Sequence, residues 1–349
     1  MGKMNRRDFL AGIGTVLGLT LCSQAKITNF SPAMPPKPSP GDPLPLPFVP
    51  GSWTLVVLPD TQHYSECYIG LFNLQTQWIV DNKKKYDIVY VLTLGDITNH
   101  NNELQWERAD KALSRLDGVV PYTIVLGNHD YGLNGKTKTR DTLADNYLPP
   151  CRFASWATFG GTMEKGRIEN NYHLFTADGE EWLILDLEWG PRDNALEWGS
   201  QILRKYPERK AIIATHAYLY SDSTRYDWQQ RGKDQKWNPH SYGTAGGVND
   251  GEEVWQKLVK NHANVFMTIN GHMLNDGLGF LVSKAGHGNL VNQMLVNFQD
   301  PIHPLGGESW LRLLEFLPDG RTVQVKTYSP LYETYKTDPD NQFVIKREL

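Results

Sequence analysis

Cysteine is scarce in this chain: three in 349 residues, of which only Cys67 and Cys151 lie beyond the first 25 positions. At most one disulfide can form between those two, so no framework of cross-links organises the fold. Like charge is scarce as well. Its longest block is Lys83-Lys84-Lys85, suited to a solvated helix end, and a net charge of −4 argues against a nucleic-acid binder that works by neutralising phosphates. No internal repeat is present, and the apolar stretch 9–21, at 13 residues, is too short to span a bilayer comfortably. What is present is a globular composition, 40% hydrophobic and 21% charged, long enough for one large domain or two ordinary ones. The 11 tryptophans and 16 tyrosines are many, enough to fill a core and still line a cleft.

Residues 1–25 read as an export leader. Lys3, Arg6 and Arg7 precede the apolar stretch, and Asn5-Arg6-Arg7-Asp8-Phe9-Leu10 resembles a bacterial twin-arginine signal. Gly12, Gly14 and Gly18 keep the apolar region weakly hydrophobic, and Ser23-Gln24-Ala25 has the small-x-small form of a cleavage site. The expected location is the periplasm or cell envelope. Lipid anchoring at Cys22 is the alternative, disfavoured because Leu21 is larger than the residue that such processing takes. Residues 26–50 carry nine prolines, from Pro32 to Pro50, and are expected to be an extended, semi-rigid spacer.

From Trp53 onward, apolar runs end on polar residues. Leu55-Val56-Val57-Leu58-Pro59 ends at Asp60-Thr61-Gln62-His63, and the run 88–94 ends at Gly95-Asp96. Tyr122-Thr123-Ile124-Val125-Leu126 ends at Gly127-Asn128-His129-Asp130. Ala211-Ile212-Ile213-Ala214-Thr215 ends at His216, and 265–270 ends at Gly271-His272. Each run reads as a buried strand, and open α/β sheets keep their ligand sites at strand C-termini. Helical spacing at 69–82 and 103–116 separates the first three strands, which implies parallel pairing with right-handed crossovers. Further helices are expected at 141–147, 196–205 and 252–260. Strands follow at 278–282, 290–298, 310–317 and 322–328, the last two joined as a hairpin by Pro318-Asp319-Gly320. The predicted architecture is a mixed β-sandwich flanked by helices. Carboxylate, amide and imidazole together suit Mn, Fe or Zn better than Ca or Mg.

The order Asp, Gly-Asp, Gly-Asn-His-Asp, His, Gly-His resembles the calcineurin-like metallophosphoesterases over residues 53–328. That resemblance implies a four-layer αββα fold and metal-dependent hydrolysis of a phosphodiester or phosphomonoester by a metal-activated hydroxide. It implies two divalent ions, with Asp96 shared between them. Asn128, His216 and His272 are expected at one site and Asp60 at the other. His129 is expected to be the general acid, with Asp130 orienting it. The expected partner is a small phosphate-ester substrate; oligomeric state is left open. The alternative on the same fold is a phosphate- or metal-binding protein with weak or no catalysis.

Two departures from the family pattern stand out. The first block usually reads Asp-x-His, whereas here Gln62 holds the histidine position and His63 follows it. Gln62 is favoured as the ligand, because neighbours in an extended segment point to opposite faces. The last block usually reads Gly-His-x-His, and here Leu274 replaces the second histidine, which leaves the second metal site open. Asn99 and His100 sit on the same expected rim and could touch substrate or solvent alike. Asp186, ending an apolar strand, is expected to hydrogen-bond to neighbouring backbone. The long insertion 218–251 is the expected lid or substrate loop, with Tyr218, Tyr220, Tyr226, Trp228 and Trp237 able to stack on a ring.

Overall fold

The computed structural model describes residues 43–347. The leader, Cys22 and the spacer up to residue 42 lie outside them. The first half of the chain runs β1 (Trp53–Leu58), α1 (Gln62–Glu66), α2 (Ile69–Asn82), β2 (Ile88–Thr93), α3 (Glu103–Leu113), α4 (Ala144–Tyr147) and α5 (Pro150–Phe153). It continues with β3 (Phe159–Thr162), β4 (Asn171–Ala177), β5 (Glu180–Leu187), α6 (Asp193–Lys205), β6 (Lys210–Thr215), α7 (Trp228–Arg231) and α8 (Gly251–Lys257). The remainder is strand: β7 (Val265–Asn270), β8 (Leu278–Lys284), β9 (Leu290–Val296), β10 (Leu311–Phe316), β11 (Thr322–Ser329), β12 (Thr334–Lys336) and β13 (Phe343–Lys346).

Two mixed sheets result. One has the order β12-β11-β10-β1-β2, with β13 also on β11; the other runs β3-β4-β5-β6-β7-β9-β8. Strand alternation explains the layering. Leu55 and Val57 of β1, Ile212 and Ala214 of β6, and Leu314 and Phe316 of β10 fill the core between the sheets. Their neighbours Val56, Leu58, Ala211, Ile213, Leu311 and Leu313 face outward, in the cluster that also holds Phe72 and Ile79 of α2 and Leu196 and Leu203 of α6. Helices cover both outer faces, giving the αββα sandwich. β1 and β2 pair in parallel, as do β6 and β7, so all four end at one edge of the molecule.

Several elements differ from the sequence expectation. The run 122–126 makes one bridge, Tyr122 to Val91, and then leaves the ladder, because the Val125 N–H donates to the Thr93 hydroxyl at 3.2 Å rather than to a strand carbonyl. The helix expected at 141–147 contracts to α4. The end of the proline-rich stretch is no free spacer. Leu46 N–H donates to Gln342 and Val49 N–H to Glu315, whose carboxylate pairs with Lys326 in full burial. Phe48 stacks on Tyr86 at 4.0 Å. Cys151 is a free, exposed thiol and is not the partner of Cys67. Asp186 is also corrected. It shares the inter-sheet face of β5 with Trp182 and Ile184, no backbone group donates to its carboxyl, and the Thr123 and Asn171 side chains are its polar neighbours. Burial holds its carboxyl protonated, well above the usual range.

Candidate metal centre

Glycines make the strand ends compact enough for polar side chains to meet. A Cβ on Gly127 would lie 2.2 Å from Asp96 Oδ1, and one on Gly271 would lie 2.0 Å from Asp60 Oδ1. Gly95, at φ +93°, leaves no room beside His216 Nδ1 either. Asp96 and His272 themselves adopt positive φ, 45° and 69°, which turns both side chains off the strand direction at a local cost.

Asp96, His216 and His272 are buried, with one ligand atom from each lying within 4.8 Å of the others. His216 Nδ1 donates to the Leu94 carbonyl at 2.7 Å, and His272 Nε2 donates to the Trp237 carbonyl at 2.8 Å. Each ring therefore presents its other nitrogen to the centre. His216 Nε2 lies 3.2 Å from Asp96 Oδ2 and 3.2 Å from His272 Nδ1. Nitrogens about 2.1 Å from a single ion lie about 3.0–3.4 Å apart, so the pair fits one cation. Charge agrees. Burial opposes a proton on His216, but Asp96 and Asp60 outweigh it and hold the ring up at about 9. Burial and the His216 charge push His272 down to about 3. The two carboxylates thus make the pocket favour positive charge beside His216.

The other half of the centre is built of oxygen. Asp60 Oδ2 accepts three hydrogen bonds, from His272 N–H at 2.9 Å, Asn297 Nδ2 at 2.8 Å and Gln299 Nε2 at 2.9 Å. Its Oδ1 is buried with no partner, and so are Gln62 Oε1 and Asn128 Oδ1. Gln62 Nε2 donates to Asp96 Oδ2 at 3.1 Å, which places that amide against the shared carboxylate. Buried acceptors left unpaired are costly, and three on the strand-end segments that carry the carboxylate–imidazole cluster form an oxygen donor set suited to cations.

His129 approaches through its backbone, donating N–H to Asp96 Oδ1 at 2.9 Å, while its Nδ1 lies 2.9 Å from the Asn99 carbonyl. The expectation that Asp130 orients this ring is corrected. Asp130 accepts from Ile97 N, Thr98 N, the Thr98 hydroxyl and Gly127 N, and so ties the loop after β2 to the turn carrying His129. The position that an orienting carboxylate would hold is taken by the Asn99 carbonyl. His63 does not join the centre; it faces Glu66 at 3.5 Å. The segment that holds it is helical, so Gln62 and His63 diverge by about 100° rather than to opposite faces of a strand. His100 Nε2 and Asn99 Nδ2 also meet Glu66, at 3.0 and 2.8 Å.

Sequence reasoning missed Glu66, Asn297, Gln299 and three backbone carbonyls, those of Leu94, Asn99 and Trp237. Asn297 and Gln299 follow β9 as Asp60 follows β1, so the rule of apolar strands ending on polar residues extends to them. The carbonyls leave no side-chain signature. The insertion 218–251 contains α7 and short helical turns, and walls His272 through the Trp237 carbonyl and a Tyr226 hydroxyl on Met273 Sδ at 3.1 Å. A second group, His240, Asp250 and Glu253, also gathers ligand atoms. Its oxygens are spent on capping α8 and on His240, so it holds the insertion together.

The sequence pattern of the calcineurin-like phosphoesterase family matches residues 54–272. The chain belongs to that family. The family is one of phosphoesterases. Among curated proteins the chain is 33% identical over 302 residues to the uncharacterized protein YvnB of Bacillus subtilis (strain 168). That match covers 82% of this chain but 21% of YvnB, so the chain spans about a fifth of its relative's length. Among solved structures, the purple acid phosphatase PPD1 of yellow lupin aligns with a TM-score of 0.50 at 16% identity, over 88% of this chain and 55% of that one. GAP50, the anchor in the inner membrane complex of Plasmodium, aligns at 0.47 and 12% identity, over 85% and 90%. The lupin enzyme bears on fold alone. Among the described residues, no helix is long and apolar enough to cross a membrane.

Proposed function

We propose that this protein hydrolyses a small phosphate ester, with His129 donating the proton that the leaving oxygen takes. Three partnerless buried oxygens, from Asp60, Gln62 and Asn128, on the same strand-end segments that supply the Asp96–His216–His272 cluster, carry this reading. Asp96, Asn128, His216 and His272 would hold one ion, for which the mixed nitrogen and oxygen set suits Zn or Fe. Asp60, Gln62 and the shared Asp96 would hold a second, for which an oxygen-only set suits Mn better. When bound, divalent ions supply phosphoryl charge neutralisation and an activated water at neutral pH. The chain supplies the rest. Backbone carbonyls lock the tautomers of His216 and His272, and the Asn99 carbonyl holds the His129 ring by Nδ1, leaving Nε2 to carry the transferable proton.

A metal- and phosphate-binding protein without turnover is the competing reading. Leu274, standing where the family pattern has its second histidine, is the observation that favours it. We further propose that the protein acts outside the cytoplasm after twin-arginine export, with lipid attachment at Cys22 as the alternative; the sequence of residues 1–25 is the support.

Metal content of the purified chain, measured with turnover of an aryl phosphodiester and its monoester, tests the reading and shows which ester is preferred. His129→Ala is expected to lower kcat by about 10²–10⁴-fold with metal content unchanged. A variant that keeps nearly the full rate refutes the acid role. Metal-loaded wild type that turns over neither ester favours the binding protein.

A further inference from the structure

Two tyrosine rings of the insertion 218–251 lie against His272, those of Tyr226 and Tyr242, with ring centres 6.1 and 6.0 Å away. They differ in what their hydroxyls do. That of Tyr226 is buried and spent, donating to Met273 Sδ at 3.1 Å. That of Tyr242 makes no hydrogen bond among the described residues, and it is not sealed from solvent. Side-chain contacts give its direction. The Tyr242 ring meets Trp189 edge-on at 5.0 Å, and Trp189 in turn lies 4.9 Å from His272 and 5.7 Å from His216. The ring therefore belongs to the wall around the two imidazoles rather than to the outer surface of the insertion. Burial and the Asp96 carboxylate hold its phenol above the ordinary range, and Asp96 is the charge that reaches it. A phenol that loses its proton no earlier than about pH 10 is a hydrogen-bond donor at neutral pH.

The position of this ring is enforced without the hydroxyl. Tyr242 closes the short helical turn Pro239–Tyr242, and Gly243 at φ +64° turns the chain away. The Tyr242 carbonyl accepts from Lys138, Thr244 Oγ1 accepts from Trp189 Nε1 at 3.2 Å, and Arg140 donates to the Trp189 and Gly247 carbonyls at 2.8 Å each. A phenylalanine would pack against Trp189 and His272 as well. The hydroxyl therefore has a use that packing does not explain, since unpaired polar groups at a largely buried centre call for a partner.

We infer that Tyr242 is a substrate-contacting residue whose hydroxyl donates to a phosphoryl oxygen at the His216–His272 half of the centre. The inference rests on the phosphate-ester reading and deepens it, because it names a donor that the insertion contributes. The candidate metal ligands turn bare oxygens and nitrogens to the centre, which suits cations and offers a phosphoryl group nothing directly. Phosphoryl oxygens are acceptors, and hydrogen bonds to charged acceptors are about twice as strong as neutral ones.

Binding of inorganic phosphate to the zinc-loaded protein, by calorimetry, tests this without turnover. Tyr242→Phe keeps the ring and removes only the donor. It is expected to bind phosphate about tenfold more weakly than wild type, with zinc content and competition against a chelator unchanged. Equal phosphate affinity in the two proteins overturns the inference. So does a loss of zinc in Tyr242→Phe, which would make the hydroxyl a support for His272. Where wild type hydrolyses an aryl ester and Tyr242→Phe binds phosphate equally well, the inference falls alone and the phosphate-ester reading stands. Zinc-loaded wild type that binds no phosphate and hydrolyses neither the aryl diester nor the monoester overturns both.

Discussion

The two halves of the centre stand on the same kind of strand end and differ in what completes them. On the His216–His272 half, backbone carbonyls of Leu94 and Trp237 take one nitrogen of each ring and leave the other for the centre. On the Asp60–Gln62 half, three N–H donors take one oxygen of a carboxylate and leave the other buried and bare. Strand ends decide where a donor sits. Partners from elsewhere in the chain decide which atom it offers, and so how soft the site is. One half is a nitrogen–oxygen site and the other is oxygen alone, a difference the shared Asp96 does not erase.

Removing the nitrogen breaks the comparison outright. His216→Ala is expected to weaken zinc binding by more than about 100-fold, since disturbing partners of metal ligands already costs about 10–100-fold. Competition with a zinc chelator measures this, and unchanged affinity would refute the ligand assignment. Adding nitrogen to the other half sharpens the comparison. Leu274→His is expected to raise zinc affinity on the Asp60 half by about tenfold, or about 1.4 kcal/mol, and to bring the two halves closer. Unchanged stoichiometry and affinity would mean that the turn after His272 does not bring position 274 to Asp60.

The smallest effect contrasts this centre with Asp186, a carboxyl buried between the sheets and outside the Asp96–His216–His272 cluster. Folded Asp186 keeps its proton far above the pH, about 3.9, at which an unfolded aspartate loses it. Above that pH the unfolded chain binds fewer protons than the folded one, so this group's contribution to stability is full in acid and is lost as pH rises. The slope is at most about 1.4 kcal/mol per pH unit. Asp186→Asn lacks that slope, so its thermal midpoint is expected to match wild type near pH 4 and exceed it increasingly toward pH 8. A gap that stays constant with pH would mean that Asp186 is ionised in the fold.

Much of the fold was legible because strand periodicity and helix spacing are local. The helix expected at 69–82 forms over Ile69–Asn82, and the hairpin after 310 forms as β10–β11. Strand ends were legible too, since a glycine followed by a carboxylate, amide or imidazole at the end of an apolar run is itself a local pattern. Partners were not. Gln299 reaches Asp60 across 239 positions, and Asp130 turned away from its neighbour His129 because four donors of two loops were available to it. Backbone acceptors are common to every residue, so nothing at Leu94, Asn99 or Trp237 distinguishes them in the sequence.

The sequence by itself determined which residues could bind a cation and that strand ends would present them, because residue chemistry and period-two patterning need no long-range information. Tertiary structure alone decided which nitrogen of each imidazole is free and which oxygen of Asp60 is bare. These choices depend on contacts between segments far apart in the chain, and a buried polar atom takes its role from whichever partner the fold brings within hydrogen-bonding distance.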